Sequence, residues 1–394
     1  MNWLRRNLDT TIWSRNLALF AVALFMVRFG QGLLGGARMN FFVETIGLSE
    51  GQVLWLEGIR ELPGLALIFI GALTMLLPLT RQATLSVFLM GAGYVIYAFV
   101  GSYSALIFAV LVASFGFHLW TPLNHALGMS LGSKQNAGKT LGVLSSVGSL
   151  ASIAGMGALS LISFLFESMP LNNYYLVGGL VIVVASVLVW RLPRDIGATD
   201  RKPPRILVKK RYWLYYVLVF FSGARKLALG SFITLMLVQN FGIKVWQVSM
   251  LTLISGVLNI VLAPRMGSLI DRLGERVTTP IAYTTLALCC LGFAFIPSMW
   301  ILMVLWLLIK IAAPLGMGLQ TYVYRTAPPE ELAPTLTAGV TFDHISSVSM
   351  PFLAGALLPV IDYTGIFLGS AVLILLSIPF ARVLQVQSHD RVAV

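Results

Sequence analysis

Glu57, Arg60 and Glu61 stand at i, i+3 and i+4 within the apolar run "VLWLEGIRELPGLALIFI", so on a helix they share one face and a single arginine serves two carboxylates. One carboxylate is left under-compensated. Burial and a like-charged neighbour both favour the protonated form of a carboxylate, which makes Glu57 or Glu61 a candidate proton carrier. A structural salt-bridge cluster closing the outer side is the equal alternative. Asp343 beside His344, in "TFDHIS", forms a second coupling candidate. His118 and His125 join it because imidazole titrates in the physiological range, although a hydrogen-bonded structural role suits any single histidine better.

A second group is cationic: Arg28, Arg225, Lys226 and Lys310, all inside apolar runs. An arginine fork grips a carboxylate or phosphate with two parallel hydrogen bonds, whereas lysine acts as a compact point charge. Such a set suits an anion. The alternative is internal pairing, Asp343 with one base and Arg60 with its own glutamates. Lys226 is the weaker candidate, since its neighbour position turns it about 100° around the helix from Arg225. His118, Asn124, Gln320 and Tyr322 complete the candidate binding set, with Trp120 and Tyr324 as further aromatic lining.

These groups sit in an unusual background. The 394 residues are 58% hydrophobic and only 11% charged, with a mean hydropathy of +0.87, whereas soluble domains run near about 25% charged. This is the composition of a polytopic membrane protein, in which ionisable groups inside spans are costly and face the bundle interior. Breaking the apolar windows at Gly, Pro and charge clusters predicts twelve spans: 17–42, 52–77, 83–101, 104–130, 138–166, 172–191, 212–240, 245–269, 277–297, 299–325, 334–358 and 364–383. Spans 3, 6, 9 and 12 carry no charge in their cores.

Net charge is +12, which in a soluble chain would suggest nucleic acid. Here most Lys and Arg residues fall in alternate loops and in the tails, among them Arg5, Arg6, Arg15, Arg81, Lys134, Lys139, Arg272, Arg276 and Arg382, with Lys244 alone on the other side. The positive-inside rule therefore places both termini in the cytoplasm, and the charge is topogenic rather than nucleic-acid binding. The two cysteines are adjacent in an apolar run, which excludes a disulfide framework or a zinc site. The basic start, "MNWLRRNLDTTIWSRN", leads into a full-length span, so no cleaved signal is expected.

The longest polar stretch, "RLPRDIGATDRKPPRILVKKR" (Arg191 to Arg211), divides the chain into an expected N-terminal six-helix bundle (1–190), a cytoplasmic linker (191–211) and a C-terminal six-helix bundle (212–394). "FFVETIGLSEGQV" aligns with "LMLVQNFGIKVWQV" at an offset of about 195, a parallel repeat of the kind transporters use. At that offset Arg28 falls within two residues of Arg225, and in spans 4 and 10 His118 matches Lys310, with Pro122 matching Pro314 four residues on.

Gly267, Asp271, Arg272, Gly274 and Arg276 in "GSLIDRLGER" meet the spacing G-x-x-x-D-R-x-G-x-R. This resembles the signature loop of the major facilitator superfamily, and with twelve spans, a repeat and a basic central loop the resemblance covers the whole chain. It implies an all-α membrane protein of twelve transmembrane helices in two pseudo-symmetric bundles. It also implies that spans 1, 4, 7 and 10 line the cavity while 3, 6, 9 and 12 face lipid, and that Asp271, Arg272 and Arg276 take part in a gate. Topology anchoring is the alternative for the two arginines. The first-half counterpart, Gly71 to Gln82, has Met75 in place of the Asp and Pro78 in place of the second Gly, so any latch is one-sided. Span 4 lacks an arginine and span 5 lacks G-P-x-x-G-G, two marks of the family's proton-coupled drug exporters.

The sequence carries no phosphate loop, nucleotide fingerprint, metal-ligand cluster or nucleophile elbow, so neither an enzyme nor a cofactor is expected. The expectation is a secondary transporter of a small organic anion, working by alternating access with a proton or another coupling ion. It would be a monomer among membrane lipids, in a bacterial inner membrane. A multidrug or amphiphile exporter and a non-transporting receptor or scaffold are the alternatives.

Overall fold

The computed structural model describes residues 13–66, 77–132, 137–197 and 208–384. The expectations that rest on Arg5, Arg6, Gly71, Met75, Lys134 and the middle of the linker lie outside them. Among the described residues the regular structure is helical, and nine helices are long and apolar enough to cross a membrane. The chain is a multi-pass membrane protein.

Helix α1 (Arg15–Gly35) starts where the Ser14 hydroxyl accepts from the Leu17 amide at 3.1 Å, satisfying one of the four orphan donors of a helix start. There follow α2 (Glu50–Leu65), α3 (Leu79–Tyr97), α4 (Tyr103–Leu131), α5 (Ala137–Leu165) and α6 (Leu171–Trp190). After the linker come α7 (Trp213–Lys226), α8 (Ile233–Phe241), α9 (Val245–Leu273), α10 (Glu275–Phe295), α11 (Met299–Ala312), α12 (Gly318–Thr326) and α13 (Pro329–Arg382). Five of the predicted spans depart from a plain helix, span 1 among them, which beyond Gly35 continues through Arg38–Asn40 into a π-helical turn, Phe41–Thr45. Span 7 is α7 and α8 joined by a π-helical turn, Ala228–Phe232. Span 10 is broken by a 3-10 turn, Ala313–Met317, at Pro314, whose ring removes a donor and crowds the preceding turn. Spans 11 and 12 run together as α13, interrupted at Asp362, whose φ of 54° and ψ of −176° are not helical.

The described chain forms two compact units. Unit 1 comprises residues 1–48, 66–202 and 244–253, and unit 2 residues 49–65, 203–243 and 254–394. In unit 1, α1 packs on α5 and α6, and α3 packs on α4 and α6. The α1–α5 contact depends on missing side chains: a Cβ on Gly32 would strike the Ser152 carbonyl, and one on Gly155 the Phe29 carbonyl. Small residues at such crossings let two backbones approach closely where lipid offers no hydrophobic drive for association. Phe41, Tyr97 and Tyr175 close this core, with ring centroids 4.5 Å (Phe41–Tyr175) and 4.8 Å (Tyr97–Tyr175) apart.

In unit 2, α13 packs against α7, α10 and α2. Gly223 on α7 lies against the Asp343 carbonyl and the Ser346 hydroxyl, leaving no room for a Cβ. Phe232, Tyr363, Phe367 and Phe293 form its aromatic cluster. Helix α10, the predicted span 9, is two-faced: Thr279, Tyr283 and Cys290 are buried while Ile281, Leu288 and Phe295 are exposed. Exposed large apolar side chains of this kind recur on most helices, among them Phe88, Phe108, Leu150, Val184, Val304 and Leu376, a surface suited to hydrocarbon rather than water.

Candidate functional site

Unit 2 assembles a network of ionisable groups. Arg60 Nη2 donates to Glu57 Oε2 at 3.2 Å and lies 2.7 Å from Glu61 Oε1. The other Glu61 oxygen accepts from Lys226 Nζ at 3.1 Å, and Lys226 stands 3.9 Å from Asp343 Oδ2. His344 completes the ring, its Nε2 4.0 Å from Glu61 Oε2 and its Nδ1 2.9 Å from the Val340 carbonyl. A carbonyl only accepts, so the proton sits on Nδ1, and Nε2 faces the carboxylate as a lone pair or, in the imidazolium, as a second N–H.

Helix geometry positions each member. The α2 trio shares a face as its spacing requires. In span 7 the Phe232 amide bonds back to Leu227 O at 3.0 Å, an i+5 bond. This wide turn advances nearly one full revolution over five residues, so Ser231 returns to the face that carries Lys226. Lys226 reaches Glu61, and Ser231 donates to Glu57 at 2.7 Å. Glu57, Glu61 and Asp343 thus gather around Arg60, Lys226 and His344, and the Arg225 charge also acts on Asp343. Closely interacting groups of this kind share their protons as a set.

Arg225, the neighbour of Lys226, has a different environment. The residue is only 7% exposed, and its guanidinium carbon sits 4.0 Å over the centroid of Tyr283 on α10. Nη1 is buried without a hydrogen-bond partner, and Arg225 has no ion pair among the described residues. A guanidinium is always charged and carries donors around its edge, so this one is held on a ring face with its edge unengaged by protein. Lys310 lies on α11 with Nζ 5.4 Å from the Trp306 ring, one turn back. Its backbone carbonyl accepts from Asn259 at 3.2 Å. Gln320 is exposed and Tyr322 buried, both on α12.

The other candidates belong to unit 1. Arg28 Nη1 donates to Gln31 Oε1 at 3.4 Å and has no ion pair among the described residues. His118 is buried on α4, its Nδ1 2.9 Å from the Ser114 carbonyl and 3.1 Å from the Ser114 hydroxyl. Asn124 is buried, while His125 is exposed.

The signature loop also resolves into a specific contact. Asp271, at the end of α9, accepts from Arg325 Nη2 at 2.6 Å, and the same arginine lies 3.2 Å from Glu275 Oε1. Glu275 opens α10, where a carboxylate meets the positive end of the helix dipole. Arg272 and Arg276 are exposed. Farther along, Glu331 near the start of α13 accepts from Lys209 at 2.7 Å, from Tyr212 at 2.9 Å and from Arg211. These donors hold the Glu331 carboxyl well below the usual range, at about 2.

Sequence spacing alone does not point to Ser231, Tyr283, Arg325 or Glu331. Arg325 reads there as one more basic residue at a span end, and Tyr283 belongs to a span with no charge in its core.

The sequence profile of the Major Facilitator Superfamily matches residues 214–392. Among solved structures, a variant of the nucleoside transporter NupG is similar at 14% identity with a TM-score of 0.76, covering 94% of this chain and 100% of that one. The human organic anion transporter MFSD10 (TETRAN) is similar at 15% identity and a TM-score of 0.60, with 94% of this chain and 100% of that chain covered. A variant of the peptide transporter POT, in complex with alafosfalin, follows at 13% identity and 0.70, covering 93% and 94%. No curated protein sequence matches the chain. At these identities the solved structures establish the fold, which extends over nearly the whole chain. The chain thus has the fold of these transporters, and its C-terminal part, residues 214–392, matches the Major Facilitator Superfamily profile.

Proposed function

We propose that this protein is a secondary transporter that moves a small organic anion by alternating access, with proton coupling. The observation that carries the anion reading is Arg225, a permanent cation that is almost wholly buried, stacked on Tyr283 and free of any ion pair among the described residues. Holding such a charge out of water without a direct ion pair is costly, and an anionic substrate supplies the partner. In unit 1, Arg28 is likewise without an ion pair, and it is assigned to substrate contact with Lys310, His118, Asn124, Gln320 and Tyr322. Proton coupling rests on the network of Glu57, Arg60, Glu61, Lys226, Asp343 and His344, whose close carboxylates and histidine share their protons as a set. Lys226, paired there, belongs to coupling more than to substrate.

The chain is assigned to a bacterial inner membrane as bundles 1–190 and 212–394 joined by 191–211, with both termini cytoplasmic. Asp271, Arg272 and Arg276 are assigned to the cytoplasmic gate, Asp271 through its bond to Arg325.

The test is uptake into proteoliposomes of labelled carboxylates, phosphate esters, and neutral and cationic amphiphiles, with and without an imposed pH gradient. Anion uptake driven by the gradient and lost in Arg225→Gln and Arg28→Gln is expected. Carriage of a neutral or cationic compound, with anion uptake intact in both variants, would sink the anion reading. Absence of flux for every compound would sink transport itself.

A further inference from the structure

Arg225 and Tyr283 are 58 positions apart in sequence, on α7 and α10, yet the guanidinium carbon lies over the ring, 4.0 Å from its centroid. A ring face against a guanidinium engages the cation without using its in-plane donors, of which Nη1, though buried, makes no hydrogen bond. The Tyr283 hydroxyl is itself buried without a hydrogen-bond partner, so no hydrogen bond from that oxygen anchors the ring. The aromatic face is what meets the cation. The attraction between ring quadrupole and cation strengthens when both are desolvated, as they are here.

We propose that Tyr283 is the positioning residue for substrate selection. It clamps Arg225 so that the guanidinium edge receives a group with two coplanar oxygens, a carboxylate or a phosphate, through paired N–H···O bonds. This rests on the reading of Arg225 as the anion-binding residue. A monatomic anion accepts from a guanidinium in many orientations and gains little from a fixed plane, whereas a forked oxyanion gains two aligned bonds. The clamp therefore favours small organic carboxylates or phosphate esters over halides. It gives span 9, which carries no charged residue in its core, a part in choosing the cargo.

The experiment is ligand-dependent thermal stabilisation of the purified full chain. The probes are benzoate, succinate and citrate as carboxylates, inorganic phosphate and glycerol 3-phosphate as phosphates, and chloride as the monatomic control. Stabilisation by the carboxylates alone assigns the ligand to that class, and by the phosphates alone to the other. Tyr283→Phe is expected to keep wild-type affinity. Tyr283→Leu is expected to weaken oxyanion binding roughly ten-fold, the scale of a desolvated cation–π contact, while chloride binding changes little. Rescue by phenylalanine and the altered oxyanion-to-chloride ratio are readouts that a merely structural role would not move. Should Tyr283→Leu not fold, Tyr283→Met carries the same comparison. Undiminished affinity in the non-aromatic variant, with loss in Arg225→Gln, overturns the clamp and leaves the anion reading standing. Undiminished affinity in Arg225→Gln, or no stabilisation of the wild type by any oxyanion, overturns both.

Discussion

Removing Glu61 and Lys226 separately and together tests whether the network acts as a unit. Their atoms lie 3.1 Å apart, and at that distance the gross attraction is about 5 kcal/mol at the effective dielectric that describes partly buried pairs. Three features reduce it. Lys226 is half-exposed, with 49% of its side chain accessible, so water screens one partner. Glu61 keeps Arg60 at 2.7 Å when Lys226 is lost, and Lys226 keeps Asp343 at 3.9 Å when Glu61 is lost. Desolvation of the buried carboxylate offsets a further part. A net coupling of about 1 to 2 kcal/mol remains. Each single variant, Glu61→Gln or Lys226→Met, is expected to lower stability, Lys226→Met more because it leaves a buried charge under-compensated. The double variant should be less unstable than the sum of the two by that coupling. The assay is a thermal or denaturant unfolding cycle of the purified protein in one detergent at one pH. Additivity within about 0.5 kcal/mol would show that the two charges do not act on each other.

Arg325→Gln should destabilise more than Asp271→Asn, because it strips the arginine from Glu275, whose side chain is 1% exposed, whereas Asp271 is 68% exposed; about 2 kcal/mol against less than about 1 is expected by unfolding, and the reverse order would refute the assignment. Glu331 is held at about 2 by Lys209, Arg211 and Tyr212. A depressed carboxyl contributes stability that is fully present above its ordinary value of 4.5 and is lost as pH falls towards about 2. Melting temperature measured between those limits should fall more steeply in the wild type than in Glu331→Gln, and parallel curves would refute the contact. Gly155→Ala should cost about 1 to 3 kcal/mol or prevent folding, since its Cβ meets the Phe29 carbonyl, while Gly157→Ala two positions on has open space and should be tolerated. The monodisperse fraction after detergent extraction separates the two outcomes.

Much of the fold is legible in the sequence because membrane helices announce themselves by length and composition. The apolar runs and the loop around Gly267 point to the superfamily's fold, and the solved structures share that fold while the profile matches residues 214–392. Within one helix, local geometry carries charges equally far: the spacing of Glu57, Arg60 and Glu61 implies a shared face, and Arg60 reaches both carboxylates. The π turn after Lys226 is less visible. Nothing in "KLALGSF" distinguishes five residues that wind wide from five that wind normally, yet that winding sets Ser231 beside Glu57.

By itself, the sequence determined that this is a multi-pass membrane protein and which ionisable residues lie in its apolar runs, since both follow from composition and order along the chain. Tertiary structure alone decided who partners whom: Lys226 with Glu61 and Asp343, Arg325 with Asp271 and Glu275, Arg225 with Tyr283. The physical reason is that helices of nearly uniform apolarity carry little periodic signal for their own rotation. Rotation and crossing are set by close contacts such as Gly223 against the Asp343 carbonyl, and a few tens of degrees either way would hand each charge a different neighbour.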